Sequence, residues 1–111
     1  MMAVLPSLLP LDVDGALGAL SIALARIPEH CRSGLLDYLR YGQPPGHFLR
    51  AVLSNDLKEA CARADDENQR ALYDYIYLLC NYASAAAWGS PEKVEQWIAR
   101  GEELRKAEAG S

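Results

Sequence analysis

The chain has 111 residues, and its 15 acidic residues against 11 basic ones give a formal net charge of -4. This length fits a single domain, since domains cluster around roughly 100 to 150 residues, and it argues against two independent cores. The acidic balance disfavours nucleic-acid binding, because contacts to phosphates need a basic surface.

Residues 1–11 form an apolar arm in which Pro6 and Pro10 prevent a regular helix. The arm has no basic flank, and Asp12 and Asp14 come before any long apolar run develops, which argues against a signal peptide. The arm is nevertheless too apolar for a solvated tail, so something is expected to cover it. Two alternatives stay open: the arm packs on its own domain, or it reaches over a partner.

The first predicted helix is capped by Asp12 or Asp14 and runs to about Arg26. Its apolar residues recur at spacings of three and four: Val13, Leu17, Leu20, Leu24 and Ile27. Most of its other positions are small, which would let another backbone approach closely. The pattern fits an ordinary core helix, and it also fits a helix that packs closely on a partner.

A second helix is predicted from Pro28 to Tyr41, with Gly42 as its left-handed cap. The stretch from residue 41 to 57 then turns a corner at two consecutive prolines and a glycine. Two short apolar helices follow, the second of them capped by Asp56. We interpret this corner as a rigid hinge between apolar helices.

The clearest helical pattern covers about Glu67 to Ala86. Its apolar face consists of Leu72, Tyr75, Ile76, Leu79 and Ala83. Tyr73 and Tyr77 lie on a different face, which leaves aromatic area that the core does not have to use. Either the helix is central and buried on several sides, or this second face marks an interface.

The last helix begins at Ser90, Pro91 and Glu92, where Ser90 is the expected cap. Residues 107–111 are expected to fray. No internal repeat, linker or strand-period segment interrupts the chain. The sequence therefore predicts an all-α single domain of about five helices with an apolar N-terminal arm.

No catalytic, cofactor or metal-binding motif is found in the sequence. The three cysteines, Cys31, Cys61 and Cys80, lie in apolar helical patterns and are interpreted as small buried hydrophobic residues in a reducing compartment. They have neither the spacing of a disulfide framework nor that of a zinc site. His30 precedes Cys31, but neighbours on a helix point about 100° apart and cannot act together as nucleophile and base. We predict that the chain is not an enzyme and binds no cofactor or metal.

A cytoplasmic location is predicted, because no uncharged stretch approaches the roughly 18 apolar residues that a membrane-spanning helix needs. Protein recognition remains as the function that fits the composition. The chain has six tyrosines and two tryptophans but one phenylalanine. Tyrosine and tryptophan are among the residues that dominate interface energetics, so this balance suits a contact surface.

In residues 41–57 and in the motif WGSPEKVEQWI at residues 88–98, the chain resembles a family of small bacterial, prophage-like helical proteins. That family includes quorum-sensing antiactivators specific for the receptor LasR. The resemblance implies a homodimer that binds the ligand-binding domain of a LuxR-type transcription factor of the LasR kind. It would occupy the factor's own dimerisation surface and so stop the factor from binding promoter DNA. The alternative is a prophage-like accessory or inhibitor protein that acts on an unrelated host protein.

Such a mechanism requires exposed apolar helix surface, and the sequence offers two candidate surfaces. The first combines the arm and the first helix, through Leu8, Leu9, Leu17, Leu20 and Leu24. The second is the tyrosine face formed by Tyr73 and Tyr77. One surface would serve self-association and the other the partner, and the sequence does not assign them.

Overall fold

The computed structural model describes residues 15–109, with the backbone alone for residues 15–19 and 109. Seven helices occupy the described part of the chain: α1 Gly15–Ala25, α2 Glu29–Tyr41, α3 His47–Leu53, α4 Leu57–Arg63, α5 Asp66–Arg70, α6 Leu72–Tyr82 and α7 Pro91–Ala109. No strand occurs among these residues, so the predicted all-α fold is confirmed. The apolar arm lies outside the described residues.

The helices pack in pairs around one core. Helix α1 packs along α6, α2 packs on α7, and α3 contacts both α4 and α7. Most of the largest fully buried side chains come from α2, α6 and α7, and they include Tyr38, Tyr75 and Trp97. Complete burial of one large apolar side chain stabilises the fold by about 1.5–3 kcal/mol, so these three helices carry most of the core. Within residues 15–109, none of the helices has both the length and the hydropathy that crossing a bilayer demands.

The predicted caps are found where local chemistry places them. Gly42 ends α2 in the left-handed region, with φ of 67°. The Asp56 carboxylate accepts the backbone N–H of Glu59 at 3.1 Å, and the Ser90 hydroxyl accepts that of Lys93 at 3.2 Å. These bonds satisfy N–H groups that have no partner inside their own helix.

The helix predicted over residues 67–86 differs from the structure in two ways. It is interrupted at Ala71, whose φ of -95° and ψ of 2° separate α5 from α6, and it ends at Tyr82. The backbone after Tyr82 finds its partners elsewhere in the fold. The Tyr38 hydroxyl donates to the Ala87 carbonyl at 2.6 Å, and the Gly89 N–H donates to the Leu53 carbonyl at 2.7 Å. Contacts between distant parts of the chain therefore end this helix earlier than its residue pattern predicted.

The C-terminal helix is longer than predicted and makes an unusually close contact with α2. Helix α7 extends to Ala109, so residues 107–109 are helical where fraying was expected. A Cβ atom on Gly42 would lie 2.6 Å from the Trp97 carbonyl oxygen and 2.9 Å from the Cα of Gly101. The Trp97 indole N–H donates to the Tyr38 carbonyl at 2.8 Å, and the Arg105 guanidinium donates to the Tyr41 carbonyl. Two glycines thus let the end of α2 meet α7 backbone to backbone.

Candidate protein-binding surface

The outer face of α6 and the start of α4 carry large apolar side chains that the core does not use. Tyr73 is 73% exposed and Leu57 is 70% exposed. Ile76 and Tyr77 beside them are 40% and 39% exposed. The rings of Tyr73 and Tyr77 lie 6.4 Å apart between centroids, so the two tyrosines form one surface.

A concave apolar site runs through this surface between α3, α4 and α6, and we call it the α6 groove. Its volume is about 210 Å³. The residues that line it are Val52, Asn55, Asp56, Leu57, Ala60, Leu72, Tyr73 and Ile76. Asn55 and Asp56 supply polar groups on one side, whereas the remaining lining is apolar apart from the Tyr73 hydroxyl. Exposed apolar patches of this kind mark interaction sites more often than isolated exposed residues do.

The turn between α3 and α4 places Leu57 on this surface. Asn55 adopts φ of 60°, a left-handed conformation that asparagine tolerates better than most residues. Asp56 then caps α4, which makes Leu57 the first residue of that helix. Leu57 therefore lines the mouth of the groove while Ala60, one turn later, is buried against the core.

A polar cluster, buried at Asn68 and Tyr75 and exposed at His30 and Asp65, fixes the inner side of α6. Asn68 in the middle of α5 is 4% exposed, and its amide oxygen accepts the hydroxyl of Tyr75 at 2.6 Å. The Asp65 carboxylate accepts the Asn68 N–H at 2.8 Å and also lies 3.0 Å from His30 Nε2 on α2. These bonds join α2, α5 and α6, so the outer face of α6 is presented on a firmly held helix.

The same cluster shifts two pKa values. The backbone N–H of Asn68 lowers the pKa of Asp65, with a further contribution from the hydrogen bond to His30. Burial raises the pKa of the Tyr75 phenol, because the phenolate would lose its hydration in the core. The cluster thus favours an ionised Asp65 and a neutral Tyr75 at neutral pH.

His30 and Cys31 contact different partners in this cluster. His30 pairs with Asp65, whereas the Cys31 thiol lies 3.6 Å from the Asn68 amide oxygen. Cys31 is half-buried, and Cys61 and Cys80 are exposed, so the prediction of three buried cysteines is wrong. Cys61 and Cys80 lie on the solvent side of α4 and α6, where the apolar pattern around them did not reveal the orientation. Among the described residues, no three His, Cys, Asp or Glu side chains converge as metal ligands would.

A second concavity lies on the other side of Tyr77, between α1 and α6. It is lined by Ile22, Ala23, Arg26, Tyr77 and Tyr82. Ile22 is 68% exposed and is a large apolar residue that α1 presents to solvent. Tyr77 belongs to this concavity as well as to the tyrosine face, so the apolar surface continues from Leu57 across α6 to α1.

Comparison of the chain with protein-family models, with curated proteins and with solved structures gives no match.

The predicted site residues divide into three groups in the structure. Tyr73 and Tyr77 lie together on the exposed surface. Leu20 is buried and Leu24 packs against the core, so neither offers the exposed surface that the first candidate required. Leu17 lies on α1, but its side chain is outside the described part of the chain, as are Leu8 and Leu9 entirely.

Three exposed apolar residues were missed by the sequence pattern. Leu57 and Ile22 were not singled out, and Ile76 was assigned to the core face of its helix. Asparagine tolerates a left-handed backbone, and the capping Asp56 follows Asn55. This pair is the signal that could have placed Leu57 at the start of a helix. Ile22 falls off the apolar stripe that includes Leu20 and Leu24, and this position was the signal for its exposure.

Proposed function

We propose that this chain is a protein-binding antiactivator of a LuxR-type quorum-sensing transcription factor. It would occupy the dimerisation surface of the factor's ligand-binding domain and so prevent promoter binding. The observation that carries the proposal is the contiguous exposed apolar surface around the α6 groove, which includes Leu57, Tyr73 and Ile76. The sequence resemblance supplies the identity of the partner, and the proposed activity is binding without catalysis.

The chemistry of the α6 groove supports competition for a protein interface. A dimerisation surface is apolar at its centre, and a groove with an aromatic rim offers complementary apolar area. Tyrosine buries a large ring while its hydroxyl keeps a polar contact, which makes Tyr73 a suitable anchor. The net charge of -4 also agrees with a protein that acts on transcription without touching DNA.

The proposal includes the homodimer implied by the resemblance. Because Leu20 is buried and Leu24 packs against the core, the large exposed apolar residue among the described side chains of α1 is Ile22. We assign self-association to the surface around Ile22 and partner binding to the α6 groove. Ile22→Ser is expected to reduce self-association in sizing experiments and to leave the fold intact, since the side chain is largely exposed.

Co-purification of the tagged full chain with the ligand-binding domain of a LuxR-type receptor tests the proposed function. The chain is expected to bind the domain, to reduce receptor dimers in sizing experiments, and to lower receptor binding to promoter DNA. Tyr73→Ala and Leu57→Ser are each expected to weaken binding by about 30-fold, the effect of losing roughly 2 kcal/mol at an interface anchor. Ile22→Ser is the matched control, an exposed apolar residue outside the groove.

Two results would contradict the proposal at different levels. If the wild-type chain neither binds the receptor domain nor changes its dimerisation, the antiactivator function is refuted. If binding occurs but depends on Ile22 and not on Tyr73 and Leu57, the assignment of the partner to the α6 groove is wrong. Salt-sensitive binding of duplex DNA by the isolated chain would favour a different class of function.

A further inference from the structure

The α6 groove is lined by apolar side chains except at Asn55, Asp56 and the Tyr73 hydroxyl. Leu57 and Tyr73 project at its rim with more than two thirds of their surface exposed. The described helices leave it uncovered, because α1 packs along a different side of α6 and contacts Tyr77 and Tyr82. An apolar segment that filled the groove would remove this surface from water, which is favourable by about 25 cal/mol for each Å² of apolar area that is buried.

We propose that the N-terminal segment of the same chain, residues 1–14, occupies the α6 groove. Its apolar residues are Val4, Leu5, Leu8, Leu9 and Leu11. Pro6 and Pro10 exclude a regular helix and favour extended backbone at the residues before them. Alternate side chains of an extended segment point to the same side, so several of its apolar side chains can enter one groove.

The direction of α1 places the start of this helix near the C-terminal end of α6. Residues 25–28 lie beside Arg70 and Asp74 at the start of α6, whereas Ile22 lies beside Tyr77 and Tyr82 near its end. Helix α1 is therefore antiparallel to α6. Gly15 precedes Ile22 by seven residues, which places it about 10 Å farther along, beyond the end of α6.

The segment is also long enough to return to the groove. The path from Gly15 back along α6 to Tyr73 is roughly 25 Å at a rise of about 1.5 Å per helical residue. Extended chain spans up to about 3.3 Å per residue, so Leu8 reaches about 23 Å from Gly15 and Leu5 about 33 Å. Leu8 and Leu9 can thus enter the groove beside Ile76, and Leu5 can reach Leu57.

Covalent connection favours this occupant over a separate molecule. A short tether gives an effective concentration in the millimolar range, whereas a second copy or another protein competes at its own free concentration. If the α6 groove also binds the partner, a consequence that rests on the proposed function, the segment is an internal competitor. Leu8→Ser with Leu9→Ser would then tighten partner binding, by about tenfold or more if the competitor is fully displaced.

Paramagnetic relaxation in the full-length chain tests the docking without any receptor. A nitroxide is attached to Ser7→Cys in a chain that also carries Cys31→Ala, Cys61→Ser and Cys80→Ser. The methyl signals of Leu57 and Ile76 are expected to broaden strongly, and those of Ile98 on α7 to remain sharp. Adding Leu8→Ser and Leu9→Ser to the same chain is expected to abolish the broadening.

A mixed sample separates the possible occupants. Spin-labelled chain without isotopes is combined with isotope-labelled chain that carries no nitroxide. Broadening only in the sample whose chains carry both the nitroxide and the isotopes supports docking within one chain. Equal broadening in the mixture assigns the segment to a second copy and overturns the proposal. Unaffected Leu57 and Ile76 signals in both samples also overturn it.

A second measurement avoids the cysteine substitutions. In the chain with its native cysteines, Leu8→Ser with Leu9→Ser is expected to shift the methyl resonances of Leu57 and Ile76 and to leave Ile98 unchanged. Unchanged Leu57 and Ile76 resonances would refute the docking. Because neither measurement contains a receptor, failure of the docking is distinct from failure of the proposed function.

Discussion

Gly101→Ala is the substitution for which the structure makes the sharpest prediction. In an isolated helix this change is favourable, because glycine costs about 1 kcal/mol relative to alanine in a helix interior. In this fold a Cβ atom at position 101 would lie 2.7 Å from the Cα of Gly42 and 2.8 Å from the carbonyl carbon of Tyr41. The Tyr41 carbonyl oxygen lies closer still. These atoms are backbone, so they cannot turn aside as the end of a flexible side chain could.

The expected destabilisation follows from the separation that the new methyl group forces. Overpacking a close contact costs roughly 1–3 kcal/mol. The Trp97 bond to the Tyr38 carbonyl and the Arg105 bond to the Tyr41 carbonyl join the same two helices, and weakening them adds about 1 kcal/mol. After the gain in helix propensity is subtracted, a net loss of about 2 kcal/mol is expected. For a domain of this size the melting temperature would fall by roughly 8–16 °C.

Urea unfolding followed by tryptophan fluorescence measures the effect, since Trp97 is buried beside the contact. Gly34→Ala is the matched control, because it also replaces a glycine inside a helix. A Cβ atom there meets the Leu49 side chain at 3.6 Å, an ordinary contact, so a gain of up to about 1 kcal/mol is expected. If Gly101→Ala is as stable as the wild type, or gains as much as Gly34→Ala, the inferred backbone contact between α2 and α7 is wrong.

The polar cluster beneath α6 gives three further predictions. Tyr75→Phe removes the hydroxyl that bonds to Asn68 and is expected to lower the free energy of unfolding in urea by about 1–2 kcal/mol. Tyr73→Phe is expected to change it by no more than about 0.5 kcal/mol. Equal losses would contradict the difference in burial between the two tyrosines. Burial raises the pKa of Tyr75, so the neutral phenol contributes its full stability below the ordinary tyrosine pKa near 10, and this contribution declines as pH rises above that value. The loss of unfolding free energy in Tyr75→Phe, relative to the wild type, should therefore be smaller at about pH 10.5 than at about pH 8. The pKa of Asp65 is lowered, so its contribution is present above the ordinary aspartate pKa of about 3.9 and is lost as pH falls through the lowered value. The urea midpoint of Asp65→Ala should therefore lie below that of the wild type at pH 7, and the gap should narrow as pH falls below about 3.9; a gap that stays constant below that pH would exclude this linkage.

The helix ends that the sequence predicted correctly depend on neighbouring residues alone. Gly42 supplies the left-handed conformation, and the Asp56 and Ser90 side chains bond to N–H groups three residues ahead. The end of α6 was predicted four residues too late because it depends on distant partners. The loop after Tyr82 is held by bonds to Tyr38 and to the Leu53 carbonyl, which no local pattern reveals.

The candidate surface was predicted only in part for a related reason. Tyr73 and Tyr77 fall off the apolar stripe of their helix, so their exposure was visible in the periodicity. Periodicity does not say which neighbour covers a stripe, and Leu20 was therefore assigned to an interface although α6 covers it. Leu57 was missed although the left-handed Asn55 and the capping Asp56 make it the first residue of α4.

The two faces of α6 explain how one short helix can serve both the fold and a partner. On its inner face Tyr75, Leu78 and Leu79 are fully buried, and the bond from Tyr75 to Asn68 fixes the helix against α5. The exposed Tyr73 makes none of those contacts. A groove on a helix held in this way loses little conformational freedom when it is filled, which lowers the entropic cost of binding. Substitutions on the outer face should accordingly change binding without changing stability, and those on the inner face should change both.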